Sequence, residues 1–195
     1  MSIRDLDEKG TFGDADANFC LGQHFYEGRD VEQDYEKAFC LLIQAARQGH
    51  LDAKFYIAYM YDNGLGVEQD HVEAFKWLCE AADANDDSAQ FSLAVSYEKG
   101  EGCKKDYKEA VRWYRKAADQ GHDKAWFNLG LLFESGKGVE RDEFKAAECY
   151  WKAVELGHGK ACYNLGKMYQ EGCGVTKDDA KAIQLLRQAV ELGVT

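Results

Sequence analysis

From Gly121 to Val139 the chain reads GHDKAWFNLGLLFESGKGV, and its apolar residues Ala125, Leu129, Leu132 and Phe133 fall at helical intervals of four, three and one. That spacing predicts an amphipathic helix ending near Ser135. The ESGKG end has the composition of a phosphate loop but not its form. Such a loop reads G-x-x-x-x-G-K-[ST] and follows a β-strand, so that backbone N–H groups wrap the phosphates and a hydroxyl holds magnesium. Here Gly130 stands one residue too far from Gly136, and Gly138 occupies the hydroxyl position. ESGKG therefore reads as a helix stop and turn.

The same pattern recurs. GHLDAKFYIAYMYDNGLGV begins at Gly49 and GHGKACYNLGKMYQEGCGV at Gly157, so the spacings from Gly121 are 72 and 36 residues. In that frame five units tile the chain without insertion: 13–48, 49–84, 85–120, 121–156 and 157–192. Self-similarity at this period marks stacked supersecondary units, none of which can bury its apolar face alone.

Each unit predicts two helices. The first carries Ala17, Ala53, Ala89, Ala125 and Ala161, then Leu21, Ile57, Leu93, Leu129 and Leu165, then Phe25, Tyr61, Tyr97, Phe133 and Tyr169, at intervals of four on one face. The glycine column Gly28, Gly64, Gly100, Gly136 and Gly172 follows, where a left-handed residue closes a helix. Six residues later stand Asp34, Asp70, Asp106, Asp142 and Asp178, the predicted N-caps of the second helix. Glu73 and Glu109 lie where a capping box places its return arm. The second helix then holds small residues (Ala38, Ala74, Ala110, Ala146, Ala182 and Ala45, Ala81, Ala117, Ala153, Ala189) that allow close helix approach. Trp77, Trp113, Tyr114, Tyr150 and Trp151 supply its apolar area.

These columns, A-x-x-x-L-G-x-x-Y…G-x-G-V-x-x-D-x-x-x-A…W-Y-x-x-A-A-x-x-G-H, resemble the Sel-one-like repeat (SLR), a relative of the tetratricopeptide repeat. The resemblance covers residues 13–192 in five in-phase copies. Where that family often has proline after the loop valine, this chain has Glu32, Glu68, Lys104, Glu140 and Thr176; Asp30 replaces the second loop glycine of the first unit and Cys103 the valine of the third. The resemblance implies an all-α fold, an α-solenoid wound as a right-handed superhelix of five antiparallel helix-turn-helix repeats. It also implies a non-catalytic adaptor that binds a protein or peptide in its concave groove.

By analogy with tetratricopeptide arrays, first helices line that groove. The stripe opposite their buried face contains Phe19, Phe55, Phe91, Phe127 and Tyr163; then Gln23, Tyr59, Val95, Leu131 and Lys167; then Tyr26, Asp62, Glu98, Glu134 and Gln170. An aromatic residue recurs in every unit, and a fixed column in a repeat is usually core, so most of each ring's area is expected to pack between neighbouring first helices. The other two columns vary and suit specificity. Tyr59, Val95 and Leu131 beside Asp62, Glu98 and Glu134 would accept an apolar segment with basic flanks.

Composition narrows the alternatives. Thirty-five acidic against twenty-four basic residues give a net charge of −11, which opposes binding to nucleic acid. The opening MSIRDLDEKG carries charges where a secretory signal needs an apolar core, and no run of about eighteen apolar residues follows that could span a membrane. A cytoplasmic chain is expected. Its seven cysteines (Cys20, Cys40, Cys79, Cys103, Cys149, Cys162, Cys173) occupy different columns, unlike the paired cysteines of a secreted branch of the family, and an odd, out-of-phase set reads as reduced thiols. Of these, only Cys20 and Cys40 sit at heights that could meet across one hairpin.

His50, His122 and His158 follow the unit-opening glycine and read as packing or capping residues of the inter-unit turn. His158 and Cys162 are four apart, but zinc needs three or four convergent ligands, so neither a metal nor another cofactor is expected. No catalytic constellation emerges from the scattered carboxylates. Two other functions stay open: an immunity or inhibitor protein that occludes a toxin or enzyme, and a hydrolase acting on a small molecule. Residues 1–12 are read as a short cap on the first repeat, and Leu185 and Leu186, where inner units have Trp or Tyr, make the C-terminal repeat a candidate homodimer face.

Overall fold

In the computed structural model, described for residues 14–194, ten helices of thirteen residues follow one another without a strand among the described residues. The first helices of the repeats are α1 (Ala15–Glu27), α3 (Leu51–Asn63), α5 (Asp87–Lys99), α7 (Asp123–Ser135) and α9 (Gly159–Glu171). The second helices are α2 (Tyr35–Arg47), α4 (His71–Asp83), α6 (Tyr107–Asp119), α8 (Glu143–Glu155) and α10 (Asp179–Glu191). The architecture is the all-α helical-repeat solenoid that the periodicity predicted. The segment 1–12, read as a cap, lies outside the described residues.

Local chemistry sets these boundaries. Asp34, Asp70, Asp106, Asp142 and Asp178 sit in extended backbone and accept hydrogen bonds from first-turn N–H groups of the second helices. Their own N–H groups donate back to the carbonyls of Phe25, Tyr61, Tyr97, Phe133 and Tyr169, at 2.8 to 3.0 Å, which closes each hairpin. The capping-box arm differs from expectation: Glu73 and Glu109 turn outward to Lys76 and Arg112 one turn on. A cation three residues away competes with the cap for an exposed carboxylate.

Glycine is required at two loop positions for different reasons. Gly28, Gly64, Gly136 and Gly172 close the first helices in the left-handed region, at φ between +65° and +76°. Two residues on, Gly66, Gly102, Gly138 and Gly174 combine positive φ with close approach, because a Cβ there would enter the backbone of Tyr35, His71, Tyr107 or Glu143 in the preceding repeat. Asp30, in the first repeat, holds the same left-handed conformation at φ +61°.

The chain divides into two compact units, and the division falls inside α5. The described residues up to Ala89, with Gly100–Lys104, form the first; Gln90–Lys99 with the residues from Lys105 onward form the second. In the first, α1 to α4 pack in consecutive pairs around Ala38, Leu42, Ala45, Ala53, Ile57 and Met60. Gly102 joins that unit through its approach to His71. In the second, α6 to α10 also pack consecutively, around the fully buried Tyr114, Leu129, Tyr150 and Leu165. A small side chain at each alanine position lets the ridges of one helix enter the grooves of the next.

Candidate interaction surface

The stripe of first-helix residues opposite the core divides into three rows, each with its own environment. In the aromatic row, Phe19 is 9% exposed and its ring stacks on His50, centroids 4.1 Å apart. Phe91 stacks on His122 at 4.4 Å and Phe127 on His158 at 4.5 Å. Phe55 is half-buried, and Tyr163 is 41% exposed.

The histidines under those rings are helix caps. His50, His122 and His158 accept the N–H of Ala53, Ala125 and Ala161 through Nδ1, at 3.2 to 3.3 Å. Asp14 and Asp86 hold the same position in the other two described first helices, accepting from Ala17 and Ala89. An imidazole that accepts at Nδ1 must be neutral, with its proton on Nε2. Burial, opposed by the nearby Asp123 carboxylate, holds the pKa of His158 below its ordinary value.

The middle row holds two exposed apolar groups. Tyr59 is 46% and Leu131 39% exposed, whereas Val95 is half-buried. Among the described residues of the first unit, Tyr26, Tyr35 and Tyr56 cluster edge to face, with Gln23 donating to the Tyr56 hydroxyl. Burial beside these rings pushes the Tyr26 phenol up to about 12.

The acidic row is bonded rather than loose. Asp62 Oδ1 lies 2.6 Å from His71 Nδ1. Glu98 accepts from the Tyr114 hydroxyl at 2.7 Å, and Glu134 from the Tyr150 hydroxyl at 2.6 Å. Asn128 Nδ2 donates to the Tyr114 oxygen at 2.9 Å, and Asn164 does the same service for Tyr150. Burial, reinforced by the carboxylate each touches, keeps both phenols protonated as donors. One oxygen of each carboxylate is thereby fixed in direction. Column arithmetic could have revealed this, since Tyr replaces Leu42 and Leu78 in the two repeats that carry Glu98 and Glu134, and Asn128 and Asn164 stand in the repeats that follow them.

In the second unit Leu131, Glu134 and Tyr163 share the wall of a 410 Å3 cavity with Arg141, Lys167 and Glu171. Phe91 and Phe127 line a different one, beside His158 and Val194. Phe19, Phe55, Tyr59 and Asp62 belong to the first unit. In the second unit the stripe is therefore a mixed apolar and charged surface. On the second helices, burial pushes the Cys79 thiol up to about 11 and that of Cys149 up to about 12, which suppresses their reactive thiolates. All seven cysteines, Cys20 and Cys40 included, are free thiols. No three His, Cys, Asp or Glu side chains converge as metal ligands among the described residues, and none of the described helices is long and apolar enough to cross a membrane.

The family model of the Sel1 repeat matches five times, at residues 15–50, 51–86, 87–122, 124–158 and 159–194. None of the curated proteins matches the chain. Among solved structures, the chain is similar to c5321, a protective antigen present in uropathogenic Escherichia coli strains and displaying an SLR fold, with 36% identity and a TM-score of 0.96. That likeness covers 100% of this chain but 42% of the antigen, so the chain spans less than half of its relative's length. A Sel1 repeat protein from Oxalobacter formigenes is 31% identical with a TM-score of 0.87, over 93% of this chain and 72% of its own. The immunity protein PA5088 of Pseudomonas aeruginosa shares the fold, with a TM-score of 0.62 at 17% identity over 98% of this chain and 72% of its own.

Proposed function

Because this chain belongs to the Sel1 repeat family, whose fold is typical of protein-interaction scaffolds, we propose that it is a non-catalytic scaffold that binds a protein or peptide partner on its first-helix stripe. The observation that carries this reading is the cavity where Leu131 and Tyr163 lie exposed beside Glu134. Apolar side chains exposed around a concave site anchor a partner, and a carboxylate already held by a phenol meets an incoming cation without first losing its own freedom. The partner segment is accordingly apolar with basic flanks. Tyr59 offers a similar anchor in the first unit.

The test is capture from extract of the source cell with the native chain, Tyr59→Ala/Leu131→Ala and Glu134→Gln. A partner identified with the native chain should be lost with the folded double variant. It should be weakened by Glu134→Gln, which keeps an acceptor for Tyr150 but removes the charge. A partner retained equally by all three would overturn the reading.

Two further parts belong to it. The chain works in the cytoplasm, where free cysteines stay reduced; fractionation of the source cell checks this. It self-associates weakly through α10, though not through the leucines read from the sequence: Leu185 is buried at 6% exposure and Leu186 is half-buried, so the exposed apolar groups there are Ile183 and Val190, at 53% and 66%. Sedimentation that gave a monomer mass at high concentration would remove this second part.

A further inference from the structure

The second-helix column that follows the conserved-phase alanine reads Phe39, Phe75, Val111, Ala147, Ile183. In the first repeat Phe39 packs edge-on to Tyr61, with centroids 5.2 Å apart and planes at 90°. Three repeats later Tyr169 stands for Tyr61, but Ala147 offers a methyl group in place of the ring. A cavity of 590 Å3 opens there, entirely within the second unit, with Trp126, Phe133, Ala147, Trp151 and Tyr169 among its walls. Its surface is mostly apolar, and Phe144 stands at its edge 73% exposed. That volume falls in the range of sites that hold a drug-sized ligand, room for an aromatic side chain together with the residues that flank it.

The charges around it are unequal in their commitments: Arg115 and Lys145 each lie 5.8 Å over the Phe133 ring, and Lys181 lies 5.3 Å over that of Tyr169. Lys145 Nζ is bound to Asp142 at 2.9 Å and Lys152 Nζ to Glu155 at 3.0 Å. Glu148, on the same wall, has no ion pair among the described residues, in a chain of net charge −11. We infer that this cavity is a second docking site, which takes the aromatic side chain of a partner protein segment carrying Lys or Arg beside that ring. The ring fills the place that Phe39 fills in the first repeat, and the cation meets Glu148. The site is separate from the first-helix stripe and does not rest on its assignment.

The probe is the acetylated, amidated peptide Gly-Lys-Phe-Lys-Gly, titrated into the full-length 15N-labelled chain. Shifts are expected at the Trp126 and Trp151 indoles and the Gly174 amide, saturating at about millimolar peptide, as suits one anchor without a folded frame. Ala147→Phe, which restores the first-repeat pattern, should keep the thermal midpoint and weaken the peptide about tenfold or more. Glu148→Gln, which leaves the packing untouched, should weaken it about threefold. The same peptide with alanine in place of its aromatic residue should leave the spectrum unchanged. Equal binding of the alanine peptide, equal binding to Ala147→Phe, or shifts confined to other residues would overturn the inference. Benzylamine binding as tightly as the peptide would overturn the partner segment and assign the cavity to a small molecule.

Discussion

His158 joins the first-helix surface to the stability of the repeat beneath it, and the two roles of its ring can be separated. Its Nδ1 caps α9 by accepting the Ala161 N–H at 3.2 Å, and its face stacks on Phe127 at 4.5 Å. Losing a side-chain N-cap costs about 1 kcal/mol. Losing an aromatic stack costs a further ~0.5–1.5 kcal/mol. His158→Ala should therefore destabilise by about 2 kcal/mol, and His158→Asn, which caps without stacking, by about 1 kcal/mol. The pH dependence follows from the cap. Protonation turns Nδ1 into a donor facing an N–H, next to the positive end of a helix. The folded pKa is held below the ordinary value of 6.5. The unfolded state thus binds the proton first, and the contribution is complete above about pH 6.5 and lost as pH falls from there through the folded value. Urea unfolding of the native chain and of His158→Asn, at pH 7.5 and pH 5, isolates this residue, because the other histidines are common to both. The advantage of the native chain should shrink at the lower pH. An advantage that stayed constant or grew would refute the neutral-cap reasoning.

Gly138→Ala should destabilise by about 3 kcal/mol or more, since it adds a collision with the Tyr107 carbonyl to the left-handed strain, whereas Gly136→Ala, with Arg141 Cβ at 3.3 Å as its nearest neighbour, should cost about 1–2 kcal/mol. Equal thermal shifts for the two would show that the loop is not pressed against α6. Tyr150→Phe should cost about 1–2 kcal/mol, because it strands the Asn164 donor and releases Glu134. In the same capture experiment Tyr150→Phe should also weaken a partner that depends on Glu134, and a partner indifferent to it would mean that the fixed carboxylate is not part of recognition.

The fold was legible because its causes repeat. Ala53, Ile57, Tyr61, Gly64 and Asp70 return every 36 residues with the same job, and the helices they delimit return at the same interval. The alignment of copies within one chain serves where a single helix pattern is ambiguous. The side-chain partners were less legible, because they lie where copies differ. Asp62, Glu98 and Glu134 look alike in sequence and suggest one loose acidic edge, but the first faces a histidine and the other two face buried phenols. What distinguishes them is a residue sixteen positions away, Leu78 after Asp62 but Tyr114 after Glu98 and Tyr150 after Glu134. The aromatic row shows the same dependence on a distant partner, since Phe19, Phe91 and Phe127 each find a histidine 31 residues on, while Phe55 has Asp86 there.

That contrast bears on where recognition resides. A column that is constant satisfies the needs of stacking, and changing it costs stability in whichever repeat it is changed. A column that varies is free of that demand, so its differences can be used to tell partners apart. Ala147 is the sharpest such case: a methyl group in place of the ring that Phe39 sets against Tyr61 gives up packing area beside Tyr169, unless the space it vacates is filled from outside. Leu131 and Tyr163 meet the same criterion from the other direction, as large apolar groups exposed where other repeats carry Gln23, Val95 or Lys167 in the first case, with Tyr59 as its exposed counterpart, and less exposed rings in the second. The departures from the repeat, rather than the repeat itself, set apart the two surfaces proposed for partner binding.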